Sequence, residues 1–125
     1  MELLPTLPST KGPAELFTGD VWFDVVARAE PPARLRMNTV RFAPCARTAW
    51  HAHSRGQTLY VTDGEGLVQS RGEAVVTIRP GDVVVTPPDE WHWHGASRDR
   101  FMSHLSITEG GADWGDHVTD DEYPG

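Results

Sequence analysis

Little in this 125-residue sequence would carry it into a membrane or onto a nucleic acid. The formal net charge is −7, and no stripe of lysine or arginine is present to displace phosphate counterions, which excludes nucleic acid as a partner. The same deficit argues against a role on an anionic membrane surface. No apolar run, Val83-Val84-Val85 included, exceeds three residues, far too short to span a bilayer. The start of the chain, Met1 to Pro13, has neither a basic segment nor a long apolar stretch, so no signal peptide is expected. Cysteine is almost absent: Cys45 stands alone and has no internal disulfide partner, which makes a reducing cytoplasm the default expectation. Sustained helical periodicity is missing too. Only residues 13–17 could make a single turn of helix.

Turn formers and β-rich segments are plentiful. Ten prolines and twelve glycines imply frequent reversals and short strands. Strands are expected at 21–26, 37–42, 47–53, 58–62, 83–86, 91–94 and 101–108, with a hairpin of 66–70 and 74–78 around Arg71-Gly72. Pro80-Gly81-Asp82 and Pro87-Pro88-Asp89 are the clearest stops. Strands at this spacing predict a sandwich or barrel. The length fits one domain over 1–125, with an N-terminal arm at 1–12 and an acidic tail at 109–125.

The chemistry is concentrated in histidine, and all six histidines fall after residue 50. His51 and His53 lie two apart on an expected strand, so both rings leave one face; His92 and His94 repeat the device on a later strand. One such pair is as readily a hydrogen-bonded core pair as a metal site. Two pairs in one small barrel can converge on a single ion, and imidazole suits Zn, Fe, Mn, Ni and Cu alike.

The frame around these histidines resembles the two cupin motifs. Cys45, five residues, His51-Ala52-His53, three residues, Gln57, six residues and Gly64 match the first; Gly81, five residues, Pro87 and then His92 match the second. Cys45 and Asp89 occupy glycine positions of those motifs, Gln57 replaces the glutamate ligand, and Ala96 replaces the closing asparagine. Further blocks, among them Lys11-Gly12-Pro13-Ala14, Ala46 to His51, His92-Trp93-His94-Gly95 and Asp116 to Asp120, are similar to small bacterial cupins that include the manganese-dependent (R)-selective hydroxynitrile lyases. The resemblance implies an all-β, single-domain cupin, that is, a jelly-roll β-barrel. It further implies a divalent metal on His51, His53, Gln57 and His92, with Mn(II) first and Fe(II), Ni(II) or Zn(II) as alternatives. Thr48, His94 and His104 match positions lining the substrate cavity and are the candidate catalytic residues.

Gln57 bears on the reaction class. A neutral amide leaves the full charge on a divalent ion, which favours Lewis-acid over redox chemistry. The leading expectation is a metal-dependent lyase acting on a small cyanohydrin. The alternatives are an Fe(II)-dependent dioxygenase and a non-catalytic metal- or ligand-binding module. His94 is read as an acid–base residue or a fifth ligand, His104 as a second base or a buried histidine, and His117 as structural or exposed. Trp50, Trp91 and Trp93 alternate with the histidines and should face away from the metal; the apolar patch they would form predicts a homo-oligomer, a dimer or tetramer. Arg41, Arg47 and Arg55 are expected on a solvated surface, and Cys45 in a turn or the core.

Overall fold

The computed structural model describes residues 1–124. Among these there are thirteen strands and no helix: β1 (Thr10–Lys11), β2 (Phe17–Thr18), β3 (Val21–Arg28), β4 (Arg36–Phe42), β5 (Arg47–Thr48), β6 (His51–His53), β7 (Gln57–Gly64), β8 (Gly66–Ser70), β9 (Val76–Ile78), β10 (Val83–Thr86), β11 (His92–Ala96), β12 (Met102–Thr108) and β13 (Ala112–Trp114). Each expected strand is present. The stretch 47–53 is divided, because the Ala49 and Trp50 amides leave the ladder and donate to the carbonyls of Leu16 and Asp116. Residues 13–17 make one turn, with the Phe17 amide donating to the Pro13 carbonyl at 3.2 Å.

The strands form two antiparallel layers. One sheet has the order β1-β3-β4-β12-β7-β10; the other runs β13-β6-β11-β5-β2, with β8 pairing β11 and β9 pairing β8. Period-2 alternation sends one set of side chains between the sheets. Val21, Val40, Phe42, Val61, Val68, Ile78 and Met102 pack there as the main core.

A second cluster covers the outer face of the β11 sheet, where Trp50, Leu67 and Trp93 pack with Val118 and Tyr123. The tryptophans do turn away from the histidines, but the chain's own C-terminal segment covers them, and Trp93 is completely buried. The apolar patch expected from them is therefore absent. Arg47 also departs from its expected surface position. It is 3% exposed, donates to the Val118 carbonyl and the Asp120 carboxylate at 2.8 Å each, and lies 4.4 Å from the Tyr123 ring centroid. It fastens the tail to the barrel.

The turns explain the two replaced motif glycines. Cys45 and Asp89 have φ of 70° and 64°, the only non-glycine residues in the left-handed region among those described.

Candidate metal centre

Register brings the histidines together. His51 on β6 is the direct cross-strand partner of His92 on β11, and their ring centroids lie 4.3 Å apart. His53 leaves the same face of β6, so one nitrogen from each of the three rings falls within 4.8 Å of the others. All three are buried. Gln57 comes from the opposite sheet, at the start of β7, and its Oε1 stands 2.9 Å from His92 Nε2.

The orientation of the rings is set by backbone. His51 Nδ1 lies 2.9 Å from the Ala49 carbonyl and His92 Nδ1 lies 2.9 Å from the Glu90 carbonyl. A carbonyl only accepts, so each Nδ1 carries the proton and each Nε2 presents a lone pair to the centre. His53 Nε2 is buried without a hydrogen-bond partner. Desolvation, reinforced by neighbouring histidines at His51 and His53, holds all three rings below their ordinary titration range, His53 at about 4. They are thus neutral at neutral pH, the form in which imidazole can ligate a metal. The donor set fits a metal on a further count. Two ligand atoms at right angles about 2.1 Å from one ion lie about 3 Å apart, as His92 Nε2 and Gln57 Oε1 do. Without a cation between them, these two acceptors would repel.

A cavity of about 360 Å³ opens on this centre. Thr48, His51, His53, Gln57, His94 and Ser106 supply much of its polar lining, with Arg36, Asn38 and Thr108 contributing the rest, and Phe17, Phe23, Val40 and Trp114 much of its apolar lining. Thr48 accepts the His94 backbone N–H through Oγ1 at 3.2 Å, which leaves its own hydroxyl proton free to be donated. His94 is buried, its Nε2 has no protein partner, and its Nδ1 is 3.0 Å from His104 Nε2. His104 does not line the cavity; it lies fully buried behind His94. Burial pushes both rings below the usual histidine range, His104 to about 4.

The family model described as the Cupin domain matches residues 38–108, which is more than half of the chain. The chain belongs to the cupin family. This cupin is 50% identical over 119 residues to "(R)-mandelonitrile lyase" of Granulicella tundricola, covering 92% of this chain and 91% of that protein. A shorter match, 38% identical over 52 residues, covers 42% of this chain and 15% of "Gentisate 1,2 dioxygenase 1" of Aquipseudomonas alcaligenes. Among solved structures, a cupin-like protein from Thermotoga maritima superposes with a TM-score of 0.89 at 38% identity, covering 98% of this chain and 95% of that one. The polyketide cyclase RemF of Streptomyces resistomycificus shares the fold alone, with a TM-score of 0.76 at 15% identity over 98% of this chain and 90% of its own.

Several residues at the cavity of this cupin escape the sequence reading, Trp114 among them. Trp114 on β13 stacks on the His51 ring, centroids 4.5 Å apart and planes 22° from parallel. It lies in the segment expected to be a tail, and only the pairing of β13 with β6 brings it to the site. His117 lies at the surface, 3.5 Å from the Thr18 hydroxyl.

Proposed function

We propose that this cupin is a divalent-metal-dependent lyase that cleaves or forms cyanohydrins, with His51, His53, Gln57 and His92 as metal ligands and Mn(II) as the preferred ion. The observation that carries this reading is an unpaired acid–base nitrogen, His94 Nε2, at the same cavity as the three-histidine, one-amide donor set, in a chain half identical to a mandelonitrile lyase. A metal held there supplies a Lewis acid for a substrate oxygen or a departing anion.

Cleavage of a cyanohydrin needs a base for the hydroxyl proton. The oxygen's electron pair forms the carbonyl, the carbon–carbon bond to the nitrile breaks, and the departing cyanide takes a proton to leave as hydrogen cyanide. No net oxidation occurs. His94 takes the hydroxyl proton at Nε2 and returns it to cyanide, while its Nδ1–H is held by His104. His104 acts through His94, and Thr48 donates to a substrate oxygen. Phe17, Phe23 and Trp114 suit an aromatic substituent.

The test combines elemental analysis, expected to give about one divalent ion per chain, with mandelonitrile cleavage under nitrogen and under air. Oxygen-independent cleavage is the expected result. Oxygen consumption with Fe(II) would favour a dioxygenase instead, the reading to which the short dioxygenase match points. Gln57→Glu separates the two further. Retained metal with a ten- to hundredfold loss of cleavage, about 1.4 to 2.8 kcal/mol, is expected of a Lewis-acid site, whereas an anionic ligand should assist oxidation of iron.

We further propose a homo-oligomer, but through a different surface from the tryptophans. On the outer face of the β12 sheet, Tyr60, Val83 and Val85 are exposed, and Tyr60 and Val83 are direct register partners. Sedimentation of Val85→Asp against the unaltered protein tests this; a lower mass for the variant is expected.

A further inference from the structure

The Gln57 side chain is held at both ends of its amide. Its Oε1 is 2.9 Å from His92 Nε2, and its Nε2 donates to Ser106 Oγ at 2.9 Å. Ser106 lies on β12 and faces the cavity. His92 Nδ1 donates to the Glu90 carbonyl, so in the neutral ring Nε2 can only accept. An amide oxygen facing that nitrogen is therefore stable with a cation between them and repulsive without one.

The metal-free site has one simple remedy. Turning the amide by half a revolution directs its NH2 at His92 Nε2 and its oxygen at Ser106. A hydroxyl is suited to both arrangements, since it accepts from the amide NH2 in one and donates to the amide oxygen in the other. We infer that Ser106 is a positioning residue that selects which end of the Gln57 amide faces the histidines, its hydroxyl changing from donor to acceptor as metal binds. This rests on the metal reading above. It also explains what the amide requires beyond the glutamate of the cupin motif. A carboxylate has two equivalent oxygens, so it has no orientation to select and no N–H to satisfy.

With metal on Oε1, the amide N–H is polarised and its bond to Ser106 is strengthened. Loss of that acceptor weakens the bound state more than the free one. Groups that orient a metal ligand from behind are typically worth about 10- to 100-fold in affinity.

The experiment is Mn(II) affinity, measured by counting free Mn(II) by electron paramagnetic resonance. Unaltered protein, Ser106→Ala, Ser106→Thr, Gln57→Glu and the Gln57→Glu/Ser106→Ala double variant are compared. Ser106→Ala should bind at least tenfold more weakly, Ser106→Thr close to the unaltered protein, and the serine loss should cost less than threefold on the glutamate background. Equal losses on both backgrounds, or Ser106→Ala within twofold of the unaltered protein, would overturn the inference while leaving the metal reading intact. An unaltered protein that binds no Mn(II), Zn(II) or Fe(II) would overturn both.

A second measurement needs no variant. In labelled protein titrated with diamagnetic Zn(II), the Gln57 side-chain NH2 should show a nuclear Overhauser contact to the His92 ring without metal and to the Ser106 β-protons with it. An NH2 that keeps one neighbour throughout would refute the change of role.

Discussion

His51 and His92 face each other as direct cross-strand partners of β6 and β11, each with Nδ1 tied to the carbonyl two residues before it, Ala49 and Glu90. The two strands thus fix not only the positions of the rings but their tautomers. His94, two residues beyond His92 on the same face, has no such carbonyl; its Nδ1 meets another imidazole, His104, at 3.0 Å. In the proposed function this difference in partner is what distinguishes the proposed ligands from the proposed acid–base residue. A ring whose proton is committed to a carbonyl offers one fixed lone pair. A ring bonded to another histidine can exchange its proton.

His92→Ala is therefore expected to lose metal, and His94→Ala to retain it while losing turnover by at least a hundredfold. Elemental analysis and cyanohydrin cleavage on the same preparations decide the matter. A metal-free His94→Ala would make His94 a fifth ligand and remove the acid–base assignment.

Much of this centre was legible because strand periodicity is strict. His51 and His53, and His92 and His94, have to share a face once 47–53 and 91–94 are strands, and the motif resemblance implies Gln57 as a ligand beside them; that it reaches them from the opposite sheet is seen only in the fold. What lay beyond the sequence came from contacts between distant segments. Nothing local to Trp114 announces that β13 will pair with β6, and nothing local to Trp93 announces that Tyr123 and Val118 will cover it. The resemblance implies that His104 lines the cavity, yet strand parity gives only its face and not its depth, and His94 stands in front of it.

The turns yield a stability test. Gly64 has φ of 78°, and a Cβ there would meet the Phe101 carbonyl oxygen. Gly64→Ala adds both the left-handed strain, about 1–2 kcal/mol, and this collision, so a loss of 3 kcal/mol or more is expected. Asp89 is exposed, and its φ of 64° is one that glycine adopts freely. Asp89→Gly should be neutral or stabilising by up to about 1 kcal/mol. Urea unfolding of the two variants should move in opposite directions or leave Asp89→Gly unchanged.

Tyr123 holds the C-terminal segment to the barrel. It is 4% exposed, its hydroxyl donates to the Ala96 carbonyl at 2.6 Å, and its ring packs 5.9 Å from that of Trp93. Tyr123→Ala removes a buried aromatic and leaves that carbonyl without this donor, so a loss of about 3–5 kcal/mol is expected. Tyr123→Phe keeps the packing and should cost about 1 kcal/mol. Tryptophan fluorescence would report the exposure of Trp50 and Trp93 in the alanine variant, and an unchanged spectrum with unchanged stability would show that the segment does not shield them.

The five buried histidines impose a pH dependence on the metal-free protein. Desolvation is the largest cause of lowering at His51, His53, His92, His94 and His104, and the values for His53 and His104 fall to about 4. In the unfolded chain each titrates near the usual value of about 6.5. Above that pH both states are uncharged at these rings, and stability is flat. Below about 6.5 the unfolded chain takes up protons that the folded chain refuses, down to about 4 for His53 and His104, so stability must fall with falling pH, by up to about 1.4 kcal/mol per pH unit for each histidine. Five such groups make the decline steep enough to unfold a domain of ordinary stability. Chelator-treated protein should therefore show a constant urea midpoint from pH 8 to 7 and a marked drop by pH 5.5. A bound divalent ion should delay the drop, because protons must then displace it from His51, His53 and His92. A midpoint that stays level down to pH 5 without metal would show that these rings are not desolvated as their burial requires.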